Sequence, residues 1–332
     1  RDIGARPQLA QLFAHGQQLG QLRALADHRG QLRLDRLRDL LVVAMQPALG
    51  DLPLGHARGR QAVRLEAGNL GRAGGTHIGS LHEAGATAFG VPAGTPVYLG
   101  PGDAGAATLG AGGGTPGTPY AYIGTSGWVA FTGDQRSAPT SGAFNLAHPM
   151  AGQVICVAPL LTAGGNLDWI KRVTGAESHA GMIEAAIQAP PSNLLYLPYL
   201  NGERSPFSDP FARGAFIGLN SSHTQVDLTR AVLEGVAFAY RHALDSLIST
   251  PVSRLILTGG GTRSSGWNQL MADVIGVEVA IADDASNVGL RGALLAAQVG
   301  RGERRGYGLD AVPVSASLHP TATHHEVYAR KY

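Results

Sequence analysis

The chain has 332 residues, of which 44% are apolar and 15% charged, so it can form one large domain or two smaller ones, and disorder is excluded. Its formal net charge is +2, and its Lys and Arg residues are spread along the chain without a dense basic run that alternates with aromatics. This distribution argues against a nucleic-acid partner. No stretch approaches the ~18 unbroken apolar residues of a membrane span, and a single cysteine excludes a disulfide within the chain. We therefore expect a cytoplasmic protein that does not enter the membrane.

The first segment, residues 1–75, is rich in Arg, Leu, Gln and Gly and contains no Lys, Tyr or Trp. Leucines between Leu22 and Leu41 recur at intervals that suit one face of a helix, with Arg and Asp between them. The pattern predicts amphipathic helices, and we recognise no strand-turn-strand unit and no functional motif in this segment.

Residues 76–332 have a different pattern, in which short apolar runs closed by Gly or Pro alternate with stretches of helical period. The apolar runs predict strands at residues 96–99, 120–123, 128–131, 154–158, 194–197 and 255–257. Cys156 lies in one of these runs, so we expect its thiol to be buried. The helical periods predict helices at residues 167–173, 227–248, 267–275 and 289–299. Together these elements predict an α/β protein with a mixed sheet.

The predicted helix 227–248 has the clearest periodicity. Asp227 can cap its start, and apolar residues then repeat every three or four positions along one face. Glu234 lies beside that apolar face, and Arg230 and Arg241 are near enough in sequence to be its partners. We interpret Glu234 as a structural residue.

Glycine is over-represented, with 47 residues in the chain, and clusters of glycine lie at 100–105, 110–117, 124–127, 164–165 and 259–261. Each cluster adjoins an apolar run, which is typical of tight turns where a backbone comes close to another group. Phosphate is the usual group. The alternative is that a chain rich in small residues collects glycines without any function.

Several motifs resemble those of one enzyme family. The residues from Gly214 to Leu219, with Asp227, Leu228 and the run from Ala231 to Glu234, resemble the second signature of the FGGY carbohydrate kinases in every position. The segments 102–103, 124–126, 163–169, 197–206 and 259–267 resemble further motifs of that family, in the same order and spacing. Residues from about 77 to 332 are therefore similar to these kinases, and most of all to xylulose kinases. Gluconate, fuculose and ribulose kinases share the same motifs.

The resemblance implies the actin-like, ribonuclease-H-like ATPase fold and ATP-dependent phosphorylation of a sugar hydroxyl, such as D-xylulose to D-xylulose 5-phosphate. It divides the chain into a non-matching segment 1–75, the end of the family's N-terminal domain at 76–118, and the ATP-binding C-terminal domain at 119–332. It implies ATP, Mg²⁺ and a sugar as binding partners, and leaves a homodimer open. No residue of the chain is assigned as a metal ligand.

The resemblance also assigns roles to individual residues. Asp103 corresponds to the general base, because a sugar hydroxyl is a weak nucleophile that must give up its proton. The residues that correspond to nucleotide-binding positions are Gly124, Thr125, Ser126, Gly164, Asp168, Gly260, Gly261 and Ser265.

Plainer structural roles exist for the same residues. Asp103 could close an Asx turn, and Ser264 or Ser265 could cap a helix. Glu203 and Arg204 lie in a loop bounded by Gly and Pro, and we interpret them as a loop ion pair.

The sequence departs from the family at its start. The family's first domain opens with a strand and an Asp-x-Gly-Thr turn that binds phosphate, and residues 1–75 contain neither; Asp2-Ile3-Gly4-Ala5-Arg6 lacks the strand and the hydroxyl residue. We hypothesise that this segment reflects a shifted reading frame, which resequencing of the gene would test.

Three classes of function follow. The first is a sugar kinase. The second is an impaired fragment or pseudokinase that binds nucleotide or sugar without turnover. The third is a filament-forming ATPase of the same fold, which the Gly-Asp motif and the kinase signature disfavour.

Overall fold

The computed structural model describes residues 41–44, 63–65, 75–113, 116–133, 142–148, 152–306 and 313–332. It divides into two compact units. The first contains Arg1–Ala106 and Leu290–Tyr307, and the second contains Ala107–Gly289 and Gly308–Tyr332.

The first unit is built on a four-stranded sheet in the order β1-β4-β3-β2. Its strands are β1 (Leu41–Ala44), β2 (Val63–Leu65), β3 (His77–Leu81) and β4 (Pro96–Gly100). β4 is parallel to β1, and β3 is antiparallel to β4 and β2. Helix α1 (Glu83–Phe89) connects β3 to β4 and ends at Gly90, which has a φ of 67° that favours glycine.

Strand β1 corrects the helix prediction for residues 1–75. The leucine periodicity predicts helix through Leu41, but Leu41–Ala44 pairs with β4 as a strand. The adjacent valines Val42 and Val43 favour extended backbone, and pairing with a strand more than fifty residues away overrides the local period. The remainder of the predicted helix, from Leu22 to Leu40, lies outside the described residues.

The second unit contains a seven-stranded mixed sheet in the order β13-β12-β11-β5-β6-β8-β7. Its strands are β5 (Tyr120–Ile123), β6 (Gly127–Gly133), β7 (Phe144–Ala147), β8 (Val154–Leu160), β11 (Arg254–Thr258), β12 (Glu278–Ala282) and β13 (Val314–Leu318). A separate pair, β9 (Leu195–Leu197) and β10 (Ala215–Ile217), is antiparallel.

Further helices lie between residues 103 and 331 of the described chain. They are α2 (Asp103–Gly110), α3 (Gly165–Thr174), α4 (His179–Gln188), α5 (Gln225–Leu247), α6 (Ser265–Ile275), α7 (Val288–Gly300) and α8 (Ala322–Lys331). α2 and α7 each cross the boundary between the units. Each face of the sheet carries a core: Ala121, Val129 and Cys156 face the core that contains α5, whereas Tyr120 and Ala130 face a second core. The alternation is the period-2 pattern of a strand.

The strands and helices predicted for residues 76–332 are present, and Cys156 is a buried free thiol. One capping prediction is wrong. Thr224, not Asp227, caps α5, and Asp227 completes a capping box by accepting the Thr224 N–H at 2.8 Å. Among the helices of the described ranges, none has the length and apolar character needed to cross a membrane.

Candidate functional site

The predicted nucleotide-binding glycines meet at one edge of the seven-stranded sheet. β5, β11 and β12 are parallel, and β8 runs in the same direction because both it and β5 are antiparallel to β6. Their carboxyl ends therefore lie on the same edge. In open α/β sheets, ligands bind in the crevice beyond this edge.

The first glycine turn, residues 124–127, connects β5 to β6. The Gly124 N–H donates to the Ser126 carbonyl oxygen at 2.9 Å, which closes the turn. Thr125 and Ser126 at its tip are exposed, and within the described ranges their N–H groups donate to no protein acceptor. The turn thus presents two backbone donors that a ligand could use.

The second glycine turn, residues 162–165, connects β8 to α3 and packs directly on the first. The N–H groups of Ala163 and Gly165 both donate to the Thr125 carbonyl at 2.9 Å, and that of Gly164 donates to the Gly124 carbonyl at 2.8 Å. A Cβ on Gly164 would lie 2.6 Å from the Gly124 carbonyl oxygen. The close approach therefore requires glycine at position 164. The hydrogen bonds also engage the Gly124 and Thr125 carbonyl oxygens, which would otherwise repel an anion.

The third glycine turn, residues 259–263, follows β11 and packs on the other side of β5. Gly259 has a φ of 92°, and a Cβ there would lie 2.5 Å from the Ile123 carbonyl oxygen. A Cβ on Gly261 would lie 2.3 Å from Ile123 Cγ2, whereas a Cβ on Gly260 would meet no protein atom within 4 Å. Gly261 is therefore required by packing, and Gly260 borders open space.

Two helices begin beside these turns. Gly164 is the N-cap of α3, whose first turn contains Asp168. Asp168 is exposed, and its Oδ1 lies 2.8 Å from Nε2 of His179 in α4. At α6 the N-cap is Ser264, whose hydroxyl accepts the Trp267 N–H at 3.3 Å, so Ser265 is not the cap. The Ser265 side chain is exposed. Helix N-termini favour anions.

Asp103, the predicted base, is an exposed residue at the start of α2. Its Oδ1 accepts the N–H of the next residue, Ala104, at 2.7 Å, whereas an Asx turn would use the N–H two residues on. A Cβ on Gly102 would meet nothing within 4 Å, so the backbone before the carboxylate is open. Asp103 is thus exposed to a ligand, and its role as the base stays a prediction.

Glu203, which the sequence placed in a loop ion pair, has a different environment. It is 3% exposed, and its Oε1 accepts the N–H groups of Leu161 at 3.0 Å and Arg204 at 2.7 Å. Burial raises the pKa of this carboxyl, and the backbone donors oppose the rise. The predicted ion pair is wrong, because the Arg204 guanidinium lies over the Phe144 ring, 4.9 Å from its centroid.

A buried amide beside Glu203 was not identified from the sequence. Asn166 is fully buried; its Nδ2 donates to the carbonyls of Thr162, Ala163 and Pro198, and its Oδ1 accepts the Tyr196 hydroxyl at 2.8 Å. A lone Asn at the start of a helical period carries no sequence signal of burial. Its partners become visible only in the fold.

Glu234 is structural, as predicted. It is buried, and its Oε1 lies 2.8 Å from Arg230 Nε, while its Oε2 lies 3.0 Å from Lys331 Nζ. The other predicted partner, Arg241, pairs with Asp245 at 3.8 Å instead.

In the described part of the chain, no three or more His, Cys, Asp or Glu side chains are grouped so as to hold a metal ion.

The chain is similar to known proteins. The model of the FGGY family of carbohydrate kinases, C-terminal domain, matches residues 120–300, which include all three glycine turns. The chain is 35% identical to a xylulose kinase of Escherichia coli strain K12 over 189 residues, which are 55% of this chain and 39% of that protein. It is 30% identical to the L-xylulose/3-keto-L-gulonate kinase of the same strain over 257 residues, which are 73% of this chain and 50% of that protein.

A solved structure shows the same fold. The crystal structure of xylulose kinase from Rhodospirillum rubrum matches with a TM-score of 0.67 at 31% identity, over 78% of this chain and 54% of that one. The chain thus spans half or less of the length of the two E. coli relatives. Since the family model covers more than half of its residues, the chain belongs to the FGGY family of carbohydrate kinases and has their actin-like ATPase fold.

Proposed function

We propose that this chain acts as an ATP-dependent sugar kinase, which transfers the γ-phosphoryl group of ATP to a hydroxyl group of a ketose. The observation that carries the proposal is the first glycine turn, where the N–H groups of the exposed Thr125 and Ser126 donate to no acceptor within the described ranges. Backbone donors in such a turn bind phosphate oxygens without bulky side chains in the way.

In this proposal each group of predicted residues has a role. Gly124, Thr125 and Ser126 bind the phosphates, and Gly164 with the first turn of α3, which contains Asp168, adds the favourable end of a helix dipole. Gly260, Gly261 and Ser265 form the adenosine side. Gly260 supports this assignment because it is open on the side where a Cβ would project.

Asp103 is the proposed general base. Its carboxylate accepts the proton of the sugar hydroxyl while that oxygen attacks the γ-phosphorus atom, and the bond from phosphorus to the bridging oxygen of ADP breaks. ADP leaves with that electron pair. Mg²⁺ bound to ATP would neutralise phosphate charge. The exposure of Asp103 and the open backbone at Gly102 support this role.

D-xylulose is the proposed substrate, and the names of the relatives support a ketose. The two E. coli relatives are named for xylulose and for L-xylulose or 3-keto-L-gulonate. Gluconate or another sugar is the alternative, because kinases for other sugars share the same motifs. A cytoplasmic location goes with the proposal, since ATP is a cytoplasmic substrate.

A second candidate is a protein that binds nucleotide without turnover. It is favoured by the composition of residues 1–75, in which we recognise no Asp-x-Gly-Thr turn. Catalysis requires the sugar, the base and the phosphate to be held together, and the family's first phosphate turn is not found in this sequence.

The experiment is calorimetric titration of the purified chain with MgATP, with and without D-xylulose, alongside Asp103→Asn. The kinase proposal predicts MgATP binding in both proteins and release of ADP that depends on D-xylulose only with Asp103 intact. Removal of a general base typically lowers turnover about 100-fold or more. Gluconate and other ketoses are tested in the same assay. Binding without turnover on any sugar would support the second candidate, and no binding would contradict both.

A further inference from the structure

The segment that carries Glu203 is joined to the second glycine turn at three points. Glu203 accepts the Leu161 N–H at 3.0 Å, Asn201 Nδ2 donates to Thr162 Oγ1 at 3.2 Å, and the Pro198 carbonyl accepts from Asn166 at 3.3 Å. These contacts cover the end of β8, the turn and the start of α3. The position of the turn is therefore set by a segment that follows it by about 40 residues.

The second glycine turn also holds the first glycine turn in place. Ala163, Gly164 and Gly165 donate three backbone hydrogen bonds of 2.8 to 2.9 Å to the carbonyls of Gly124 and Thr125. A displacement of the Leu161 backbone would therefore reach the exposed tip of the first turn. Contacts of this kind hold the ligand-binding residues in place without touching the ligand themselves.

Glu203 is itself held in place. Its backbone exchanges two hydrogen bonds of 2.9 Å with Asp209, and Gly202 before it has a φ of 83°, which favours glycine. A Cβ on Gly202 would lie 2.8 Å from the Pro210 carbonyl. A buried carboxylate with two backbone donors on one oxygen forms charge-assisted hydrogen bonds, which are stronger than neutral ones.

We propose that Glu203 is a positioning residue for the phosphate-binding turn: its ionised carboxylate fixes Leu161 and thereby holds residues 163–165 against Gly124 and Thr125. The inference rests on the proposed nucleotide site for its functional consequence. Its structural consequence is independent of any nucleotide.

The first test is hydrogen exchange in the nucleotide-free protein, which compares wild type with Glu203→Gln and with Glu234→Gln. Glu234 is an equally buried carboxylate far from the turns in sequence, so it is a matched control. We expect Glu203→Gln to accelerate exchange of the Ala163, Gly164 and Gly165 amides about tenfold, since a neutral acceptor is weaker. Glu234→Gln lowers the stability of the second unit as a whole, so it should accelerate these three amides no more than the amides of β12. Equal rates in wild type and Glu203→Gln, or an acceleration in Glu203→Gln that is no greater for these three amides than for β12, would overturn the proposal.

The second test separates binding from chemistry. Glu203→Gln should raise the Kd and KM for MgATP about tenfold and leave kcat at saturating MgATP within about twofold. An unchanged KM, or an equal fall in kcat, contradicts the inference. If wild type does not bind MgATP, the proposed function fails, while the exchange data still decide whether Glu203 positions the turn. Should Glu203→Gln not fold, Asn201→Ala removes one of the three contacts and is expected to shift exchange in the same direction.

Discussion

The hydroxyl group of Tyr240 donates a hydrogen bond of 2.7 Å to the carbonyl oxygen of Tyr122, beneath the first glycine turn. Tyr240 is fully buried on α5, and a Cβ on Gly127 would lie 1.9 Å from its hydroxyl oxygen. The turn and the helix therefore fit together only with glycine at position 127.

Gly127→Ala is expected to lower the free energy of unfolding by about 1 to 3 kcal/mol, because the added methyl forces the turn or Tyr240 to move. Chemical denaturation measures the effect. Tyr240→Phe in the same background removes the nearest clashing atom, so the double variant should lose less than the sum of the two single changes. Additive losses would show that the two residues are not in contact.

Gly260→Ala distinguishes a ligand contact from a packing contact. Its Cβ would meet no protein atom within 4 Å, so stability should stay within about 0.5 kcal/mol of wild type. If adenine lies against this glycine, the Kd for MgATP rises at least about tenfold, because the methyl occupies ligand space.

Gly289→Ala is the matched control, because its Cβ also meets nothing within 4 Å and it is not a predicted site residue. It should leave nucleotide affinity unchanged, and because Gly289 lies in α7 it should raise the free energy of unfolding by at most about 1 kcal/mol. If Gly260→Ala binds MgATP as tightly as this control does, the adenosine assignment of the third glycine turn is wrong.

Removal of the Glu234 carboxylate should strongly destabilise the second unit. Arg230 and Lys331 side chains are 6% and 16% exposed and both contact it, so Glu234→Ala leaves buried positive charge without its partner. The expected loss is about 3 to 5 kcal/mol, measured by denaturant unfolding. The control is Glu278→Ala, whose partner Arg254 is 44% exposed; it should cost less than about 1 kcal/mol.

Stability should decrease below neutral pH because of His148. This side chain is 6% exposed, and burial lowers its pKa from 6.5 to about 4. The unfolded chain therefore binds a proton between these two values that the folded chain does not bind, so the free energy of unfolding falls as pH drops through this window. The difference in pKa corresponds to at most about 3 kcal/mol.

His148→Gln removes this titration and should flatten the fall between pH 6.5 and 4. The Glu203 carboxyl, whose pKa is raised, acts in the opposite direction, but it is present in both proteins and cancels in the comparison. A His148→Gln profile that parallels wild type would exclude this origin.

Much of the second unit follows from local sequence. The strands at Tyr120–Ile123 and Val154–Leu160 are continuous apolar runs bounded by turn residues, and α5 has a long helical period. β12 could have been found by the same rule, since Val279, Ala280 and Ile281 follow the turn at Gly276. α2 is harder, because two glycines and mostly short side chains in eight residues give little periodicity.

The candidate site divides in the same way. Its glycine turns have a local signature, so their positions could be predicted, although the roles of their residues remain proposals. Glu203 could not be understood from sequence, because its acceptor role depends on Leu161, 42 residues earlier. Leu41 shows the converse error, since its strand partner lies far along the chain while its leucine neighbours suggest a helix.

The Glu234 cluster also has a consequence for the order of events during synthesis. Glu234 and Arg230 are four residues apart on one helix, but Tyr328 and Lys331 follow Glu234 by 94 and 97 residues. A ribosome adds about 5 to 20 residues each second, so α5 exists for several seconds before these last two partners emerge. During that interval the carboxylate has Arg230 as its nearby countercharge, and docking of α8 completes the cluster.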